Sequence, residues 1–110
     1  MSLEKERMEK ERINKEVAQD ILSQLGGGKT VSLMLGVANF VIIDKGIIFK
    51  FQGNDTVNHA KIELVENDTY KVTFSKLAEL ELEELEVYEN IYCDMLIKTF
   101  ESYTKLYLSL

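Results

Sequence analysis

Apolar and polar residues alternate from Val31 to Glu83 in a series of short stretches, and this alternation constrains the fold more than any other feature. A period of two places successive side chains on opposite faces of a β-strand, so each stretch has one face to bury. Together the stretches predict an antiparallel sheet of about four to five strands. The last stretch is open to a second interpretation, because Leu80, Glu84 and Glu86 could equally begin the final helix. The candidate stretches are residues 31–35, 38–43, 47–51, 60–64, 70–74 and 78–83.

Turn residues between these stretches predict two hairpins. Asp44-Lys45-Gly46 joins the first pair of strands, and we expect Gly46 to take a positive φ there. Asn67-Asp68 joins the second pair. Residues 53–58 form the one long polar segment between strands and are predicted to be a mobile surface loop.

Helical periodicity precedes the alternating region. Residues 1–12 form a charged extension, in which 1–3 are typical of an expression vector, and residues 13–110 are predicted to form a single domain. The helical pattern before the strands predicts an N-terminal helix, and the three glycines at 26–28 are expected to end it. Its predicted buried stripe consists of Ile13, Val17, Ala18, Ile21, Leu22 and Leu25.

A second amphipathic helix is predicted from Val87 to Leu108, with a broad apolar face and an acidic and basic opposite face. The expected fold is therefore α+β: an N-terminal helix, the antiparallel sheet and this C-terminal helix, with both helices on one sheet face. The apolar face of the predicted C-terminal helix contains Tyr88, Ile91, Tyr92, Met95, Leu96, Thr99, Phe100, Tyr103, Leu106 and Tyr107.

The net charge of −6 comes entirely from the second half of the chain, since residues 1–60 carry eight acidic and eight basic side chains. A chain with this balance is repelled by a phosphate backbone, so direct nucleic-acid binding is not expected. Two interpretations of the acidic row remain open: a patch that imitates DNA, or charges that protect a sheet edge. The candidate acidic patch consists of Glu79, Glu81, Glu83 and Glu86.

Aromatic residues of the predicted C-terminal helix suggest a protein interface. Tyrosine combines a large apolar ring with a polar tip and is enriched where proteins meet. We therefore expect a protein partner or self-association as a homodimer. The candidate interface consists of Tyr88, Tyr92, Tyr103, Leu106 and Tyr107.

Signals for chemistry are weak. The single cysteine excludes an intrachain disulfide, and we expect Cys93 to be packed. His59 is predicted to be a surface or capping residue, and Asn39 to satisfy backbone groups at a bulge or to contact a ligand. Gly28-Lys29-Thr30 resembles the end of a phosphate loop, but it closes a helix and precedes a predicted strand, and a required glycine is absent. No cofactor, metal site or enzymatic activity is predicted.

Several short segments between residues 13 and 110 together form a recognisable pattern. They are Gln24–Gly27, Met34–Phe40, Phe49–Phe51, Ala60–Leu64, Asp68–Phe74, Val87–Tyr88, Asp94–Leu96, Phe100, Thr104 and Leu106–Leu108. Their order and spacing resemble a family of small proteins encoded by bacteriophages and prophages, in which asparagine is more frequent at the position of Gly28. This resemblance implies a phage origin and one compact domain; the family has no assigned activity, so no catalytic residue is carried over.

These observations favour a phage accessory protein that acts as a non-enzymatic protein-binding module, with an acidic DNA mimic or anti-defence inhibitor as the alternative. We see no secretory leader or membrane-spanning segment, so the cytoplasm of the bacterial host is the expected location.

Overall fold

The computed structural model describes residues 3–36, 40–52 and 54–108 and has an α+β fold. The helices lie near the two ends of the chain and the strands lie between them. The elements are α1 (Leu3–Gln24), α2 (Gly28–Leu35), β1 (Phe40–Ile43), β2 (Gly46–Lys50), β3 (His59–Leu64), β4 (Tyr70–Ala78), β5 (Glu81–Ile91) and α3 (Leu96–Thr104), with 3-10 turns at Glu66–Asp68 and Cys93–Met95.

The strands of the described residues form one antiparallel sheet in the order β1-β2-β3-β4-β5. Each strand pairs with its neighbour in sequence, which is what tight turns between alternating stretches produce. Both predicted hairpins are confirmed, as β1–β2 and β3–β4. The predicted strand at 78–83 is confirmed only in part: it contains the last residue of β4, the turn at 79–80 and the start of β5, which together make a third hairpin.

One face of the sheet carries the core, because the apolar positions of three strands lie in register. Phe49 pairs with Ala60, and Ala60 pairs with Phe74. The next row along the strands joins Ile47, Ile62 and Val72 in the same way. All six side chains are buried, and they form one cluster with the buried residues of α1 and α3.

Phe100 of α3 fixes the centre of this cluster. Its ring centroid lies 5.1 Å from that of Phe51, 5.9 Å from Phe74 and 6.2 Å from Phe49. Burial of a phenylalanine side chain contributes about 1.5–3 kcal/mol. Because the buried residues of α1 join the same cluster, the predicted placement of both helices on one sheet face is confirmed. The buried residues of α3 are Leu96, Phe100 and Thr104.

The predicted strand at 31–35 is wrong, since these residues belong to α2. Val31 is fully buried whereas Leu33 is 84% exposed, which no strand with a single buried face would produce. A stretch of five residues fits a period of two and a helical turn almost equally well. Gly28 thus opens a helix, but another helix precedes it, so the requirement of a phosphate loop for a preceding strand is still unmet.

The predicted helix from Val87 to Leu108 is too long. Residues 87–91 continue β5, because Val87 and Tyr88 pair with Thr73 and Val72 of β4. The helix itself covers only Leu96–Thr104, and Lys105 ends it with a φ of 61°. Long-range pairing with β4 therefore overrides a local helical pattern.

Glycine in the first hairpin has a different role from the predicted one. The positive φ of that turn belongs to Lys45, at 54°, and not to Gly46. Gly46 lies in β2, where a Cβ atom would collide with the carbonyl oxygen of Ile62 in β3. Close approach of two strands, and not turn geometry, therefore requires glycine at this position.

The polar segment after β2 is anchored. Asn54 donates a hydrogen bond of 2.8 Å from its side-chain nitrogen to the carbonyl oxygen of Thr104, at the end of α3. Its Oδ1 accepts hydrogen bonds from the backbone N–H groups of Thr56 and Val57, and Val57 is buried. This segment, predicted to be a mobile surface loop, thus contributes a buried residue and joins the sheet to α3.

The buried stripe of α1 starts later than predicted, at Val17, because Ile13 is exposed. Residues 5–12 are exposed along the same continuous helix. Asn14 accepts a hydrogen bond from the backbone N–H of Lys45, and Lys10 lies 3.7 Å from Asp44, so this part of α1 reaches the β1–β2 turn. None of the helices in the described ranges combines the length and the apolar character needed to cross a membrane.

Candidate functional site

The β5 strand forms one edge of the described sheet and carries five glutamates. Seven carboxylates and no lysine or arginine lie between Lys76 and Lys98 in the sequence. Within β5, residues 81–84 and Glu86 are exposed. The predicted acidic row therefore lies on a surface that a partner can reach.

A bulge in β5 brings three predicted patch residues onto one face. Glu81 and Glu83 pair with Ala78 and Lys76 of β4, whereas Glu86 pairs with Phe74. Residues 74, 76 and 78 alternate regularly, so these three glutamates share a face. In a regular strand, Glu83 and Glu86 would lie on opposite faces of the sheet. Leu85 is an extra, unpaired residue in β5, and this bulge places Glu86 on the same face as Glu83.

The turn of the β4–β5 hairpin extends past β3. Asn58 makes two hydrogen bonds with the backbone of Leu77, of 2.7 and 3.0 Å, and the paired part of β4 against β3 ends at Ser75. Residues 78–84 are all exposed. Glu79, the fourth predicted patch residue, lies in the turn with a φ of 55°.

Two leucines of this hairpin were not predicted as functional residues. Leu80 is 100% exposed and Leu82 is 54% exposed, both between glutamates. Burial of these two side chains therefore contributes little to the stability of the fold. The sequence could have indicated the exposure of Leu80, because this leucine stands between two glutamates. The sequence did not establish that these residues form a turn.

The predicted aromatic interface is divided by the structure. Tyr88, in β5, and Tyr103, in α3, are half-buried and pack against Phe74; Tyr103 stacks on it with ring centroids 4.5 Å apart. Leu106 is half-buried and also packs on the core, whereas Tyr92 and Tyr107 are exposed. The prediction that these residues share one face of a single helix is therefore wrong.

Burial raises the pKa of Tyr103, and the negative charge of Glu86 and the neighbouring Tyr88 raise it further. The acidic face of β5 thus begins directly beside the aromatic group. Next to it, an open cleft of about 310 Å³ separates the end of β5 from α3. Its lining is mostly apolar and consists of Tyr88, Ile91, Met95, Lys98, Thr99 and Ser102.

His59 is buried, contrary to the prediction of a surface or capping residue. It is 9% exposed, lies in β3 between Lys50 and Ser75, and its Nδ1 has no hydrogen-bond partner in the described residues. Burial lowers the pKa of His59, and the positive charge of Lys61 lowers it further. Both effects favour the neutral form of the imidazole.

The two remaining candidate residues are Cys93 and Asn39. Cys93 is exposed in the 3-10 turn before α3, so the prediction that it is packed is wrong. Asn39 lies outside the described residues. Within the described ranges, no three histidine, cysteine, aspartate or glutamate side chains converge in a way that could hold a metal ion.

The geometry defines an α+β domain with an open antiparallel sheet and a single acidic edge. Comparisons of the chain with protein-family models, with curated proteins and with solved structures found no match.

Proposed function

We propose that this chain is a phage or prophage accessory protein that acts in the bacterial cytoplasm as a non-enzymatic protein-binding module. The observation that carries this proposal is the β4–β5 hairpin, which exposes Leu80 and Leu82 among carboxylates on a free sheet edge. The partner surface that fits it is basic, with an apolar pocket near its centre.

The hairpin suits protein binding because its two kinds of side chain have different roles. The carboxylates speed the encounter with a basic partner and select against acidic ones. Leu80 supplies apolar area that is removed from water only on binding, at about 25 cal/mol per Å². The cleft beside Tyr88 and Met95 offers a second apolar contact at the other end of β5.

The DNA-mimic alternative rests on the same acidic residues but is supported less well by their spacing. The five glutamates of β5 cover eight residue steps, about 26 Å at a rise of ~3.3 Å per residue, or about 6.5 Å per charge. One strand of duplex DNA carries a phosphate about every 3.4 Å along the axis. The β5 edge therefore has roughly half the charge density of one DNA strand. This spacing favours binding to a basic protein surface over imitation of DNA.

The test is a pull-down from lysate of the bacterial host with three forms of the tagged chain. The first is wild type. The second combines Leu80→Ala with Glu81→Gln and Glu83→Gln. The third, a matched control, carries Glu6→Gln, Glu11→Gln and Glu16→Gln, which neutralise exposed acids of α1.

We expect a host protein that wild type and the α1 variant retain and that the hairpin variant loses. Equal retention by all three forms contradicts the proposed use of the hairpin. Added duplex DNA separates the two functions: displacement of the partner by DNA supports the mimic, and retention supports a binding module.

A further inference from the structure

The outer edge of β1 differs from the rest of the sheet because it carries no charge. Among the described residues only β2 pairs with β1, so one side of this strand has no strand partner. All four of its residues are apolar; Val41 is 55% exposed, and Ile42 is also exposed. An apolar edge of this kind is a template for another strand.

Apolar exposure continues onto the neighbouring elements. Ile48 of β2 lies beside Val41 on the sheet face opposite to the core and is only half-buried. Ile13 of α1 is exposed and is the apolar residue of a shallow cleft near the end of β1, whose other lining residues are Asn14 and charged side chains of α1 and of the β1–β2 turn. We define the β1 patch as Ile13, Val41, Ile42 and Ile48.

We propose that the β1 patch is a self-association surface, on which a second copy of the chain adds its own β1 antiparallel across a two-fold axis. Charge selects this occupant. Self-pairing of β1 opposes only apolar residues, whereas self-pairing of β5 opposes glutamates with glutamates. The β1 arrangement also places the two acidic β5 edges at opposite ends of the dimer, where repulsion between two chains of −6 is smallest.

Symmetry narrows the arrangement further. A two-fold contact closes on itself, whereas head-to-tail pairing of β1 with β5 continues into an open filament. Opposed residues of antiparallel strands lie on the same face, so the axis passes beside Val41 or beside Ile42, each facing its own counterpart. In either register the pairs within β1 involve only phenylalanine, valine and isoleucine.

The test is sedimentation velocity over a concentration series from low micromolar to millimolar. We expect a monomer–dimer equilibrium that high salt does not weaken, because no charge pair holds it. Val41→Lys places two ammonium groups next to the axis and should weaken the dimer at least tenfold. Leu82→Lys is the matched control: it adds the same charge at an equally exposed apolar position on β5 and should leave the dimer intact.

The register is tested by cross-linking in a Cys93→Ser background, which removes the exposed native thiol. Residues opposed across the axis have Cβ atoms about 4.5–5.5 Å apart, close enough for a disulfide after small adjustment. We expect either Val41→Cys or Ile42→Cys to form an interchain disulfide quickly under mild oxidation, and Leu82→Cys to do so much more slowly.

Three outcomes would overturn the proposal: a wild-type chain that stays monomeric throughout the series, equal dimerisation of Val41→Lys and Leu82→Lys, or equal cross-linking of all three cysteine variants. Failure here leaves the proposed function untouched, because the hairpin lies on the opposite edge. Val41→Lys should accordingly retain any host partner that wild type captures.

Discussion

The two edges of the sheet differ in length, charge and regularity. β1 has four residues, all apolar. β5 has eleven residues, five of them glutamate, and its pairing with β4 is interrupted by two register shifts. Proteins protect exposed edges by making them short, charged or bulged. β1 has only the first of these protections, and β5 has the other two.

This difference teaches how one small sheet can separate two kinds of contact. A short apolar edge offers few backbone hydrogen bonds, so pairing there is expected to be reversible and to suit a second identical strand. A long charged edge resists pairing with its own copy, and we propose that it presents its side chains to a basic partner. Both edges belong to the same five-stranded sheet.

The largest effect is expected from removing the ring that connects β5 to the core. Phe74 is fully buried and contacts the rings of Tyr88, Phe100 and Tyr103. Phe74→Ala should lower the free energy of unfolding by about 3–5 kcal/mol, through lost burial and the cavity that remains. Urea denaturation measures it, with Leu82→Ala as an exposed control that should change stability by no more than about 0.5 kcal/mol.

A loss below about 1 kcal/mol for Phe74→Ala would contradict the view that β5 depends on this aromatic group. The acidic edge would then be held mainly by its backbone pairing with β4.

The next effect concerns the support of the apolar edge. Gly46→Ala drives a methyl group into the carbonyl oxygen of Ile62 and should separate β2 from β3, at a cost of about 1–3 kcal/mol. Gly28→Ala is the matched control, because its added Cβ meets only Leu22 at an ordinary 3.7 Å and lies within α2. That variant should be neutral or stabilised by up to about 1 kcal/mol.

Thermal unfolding of the two glycine variants side by side measures this difference. Equal stability of both would mean that β2 and β3 can adjust around a side chain, and that the position of β1 does not depend on close packing at Gly46.

A smaller, pH-dependent effect should come from His59 in the central strand, between the two edges. Its pKa is lowered in the folded chain from the ordinary value of 6.5, chiefly by burial. The unfolded chain therefore binds more protons than the folded chain as the pH falls below about 6.5, so stability decreases with falling pH until the folded-state pKa is passed. Chemical denaturation at several pH values from 7.5 to 5 should show this loss.

His59→Gln cannot titrate, so its stability should change less over the same pH range. An identical slope for wild type and His59→Gln would show that His59 does not cause the loss of stability at low pH.

Much of the fold follows from local patterns, and the β2–β3–β4 meander is the clearest case. Apolar residues alternate there over five or more positions, and the turn at Asn67-Asp68 supplies two residues with positive φ, at 65° and 56°. Strand, register and buried face are all specified within one continuous segment, residues 46–78. The same is true of the α1 stripe from Val17 onward, which has a regular helical period.

Residues 31–35 and 87–91 were assigned wrongly because their structure depends on distant partners. The first is too short for its period to be decisive, and α2 forms where Val31 can reach the core. The second has a helical spacing of apolar residues, but β4 needs a partner strand, and pairing supplies it. Long-range pairing of this kind cannot be predicted from local periodicity.

The candidate site was predicted in part. Three of the four candidate acidic residues lie in β5 and Glu79 lies in the turn before it, but the bulge at Leu85 that brings Glu86 to the same face as Glu83 is set by pairing with β4. The β1 patch escaped prediction for a similar reason: which strand lies at an edge depends on the order of the whole sheet.

The smallest effect on stability is expected from neutralising the glutamates of the β5 edge. These substitutions also test whether charge keeps β5 from pairing with a second copy. Glu81→Gln, Glu83→Gln and Glu84→Gln change exposed side chains, so each should alter the free energy of unfolding by no more than about 0.5 kcal/mol. If charge is what prevents β5 from pairing with its own copy, the triple variant should self-associate through this edge. Made in a Val41→Lys background, which blocks β1, any new association seen by sedimentation must arise at β5. A triple variant that stays monomeric in this background would show instead that the bulges protect the edge, and that the glutamates are free to serve a partner alone.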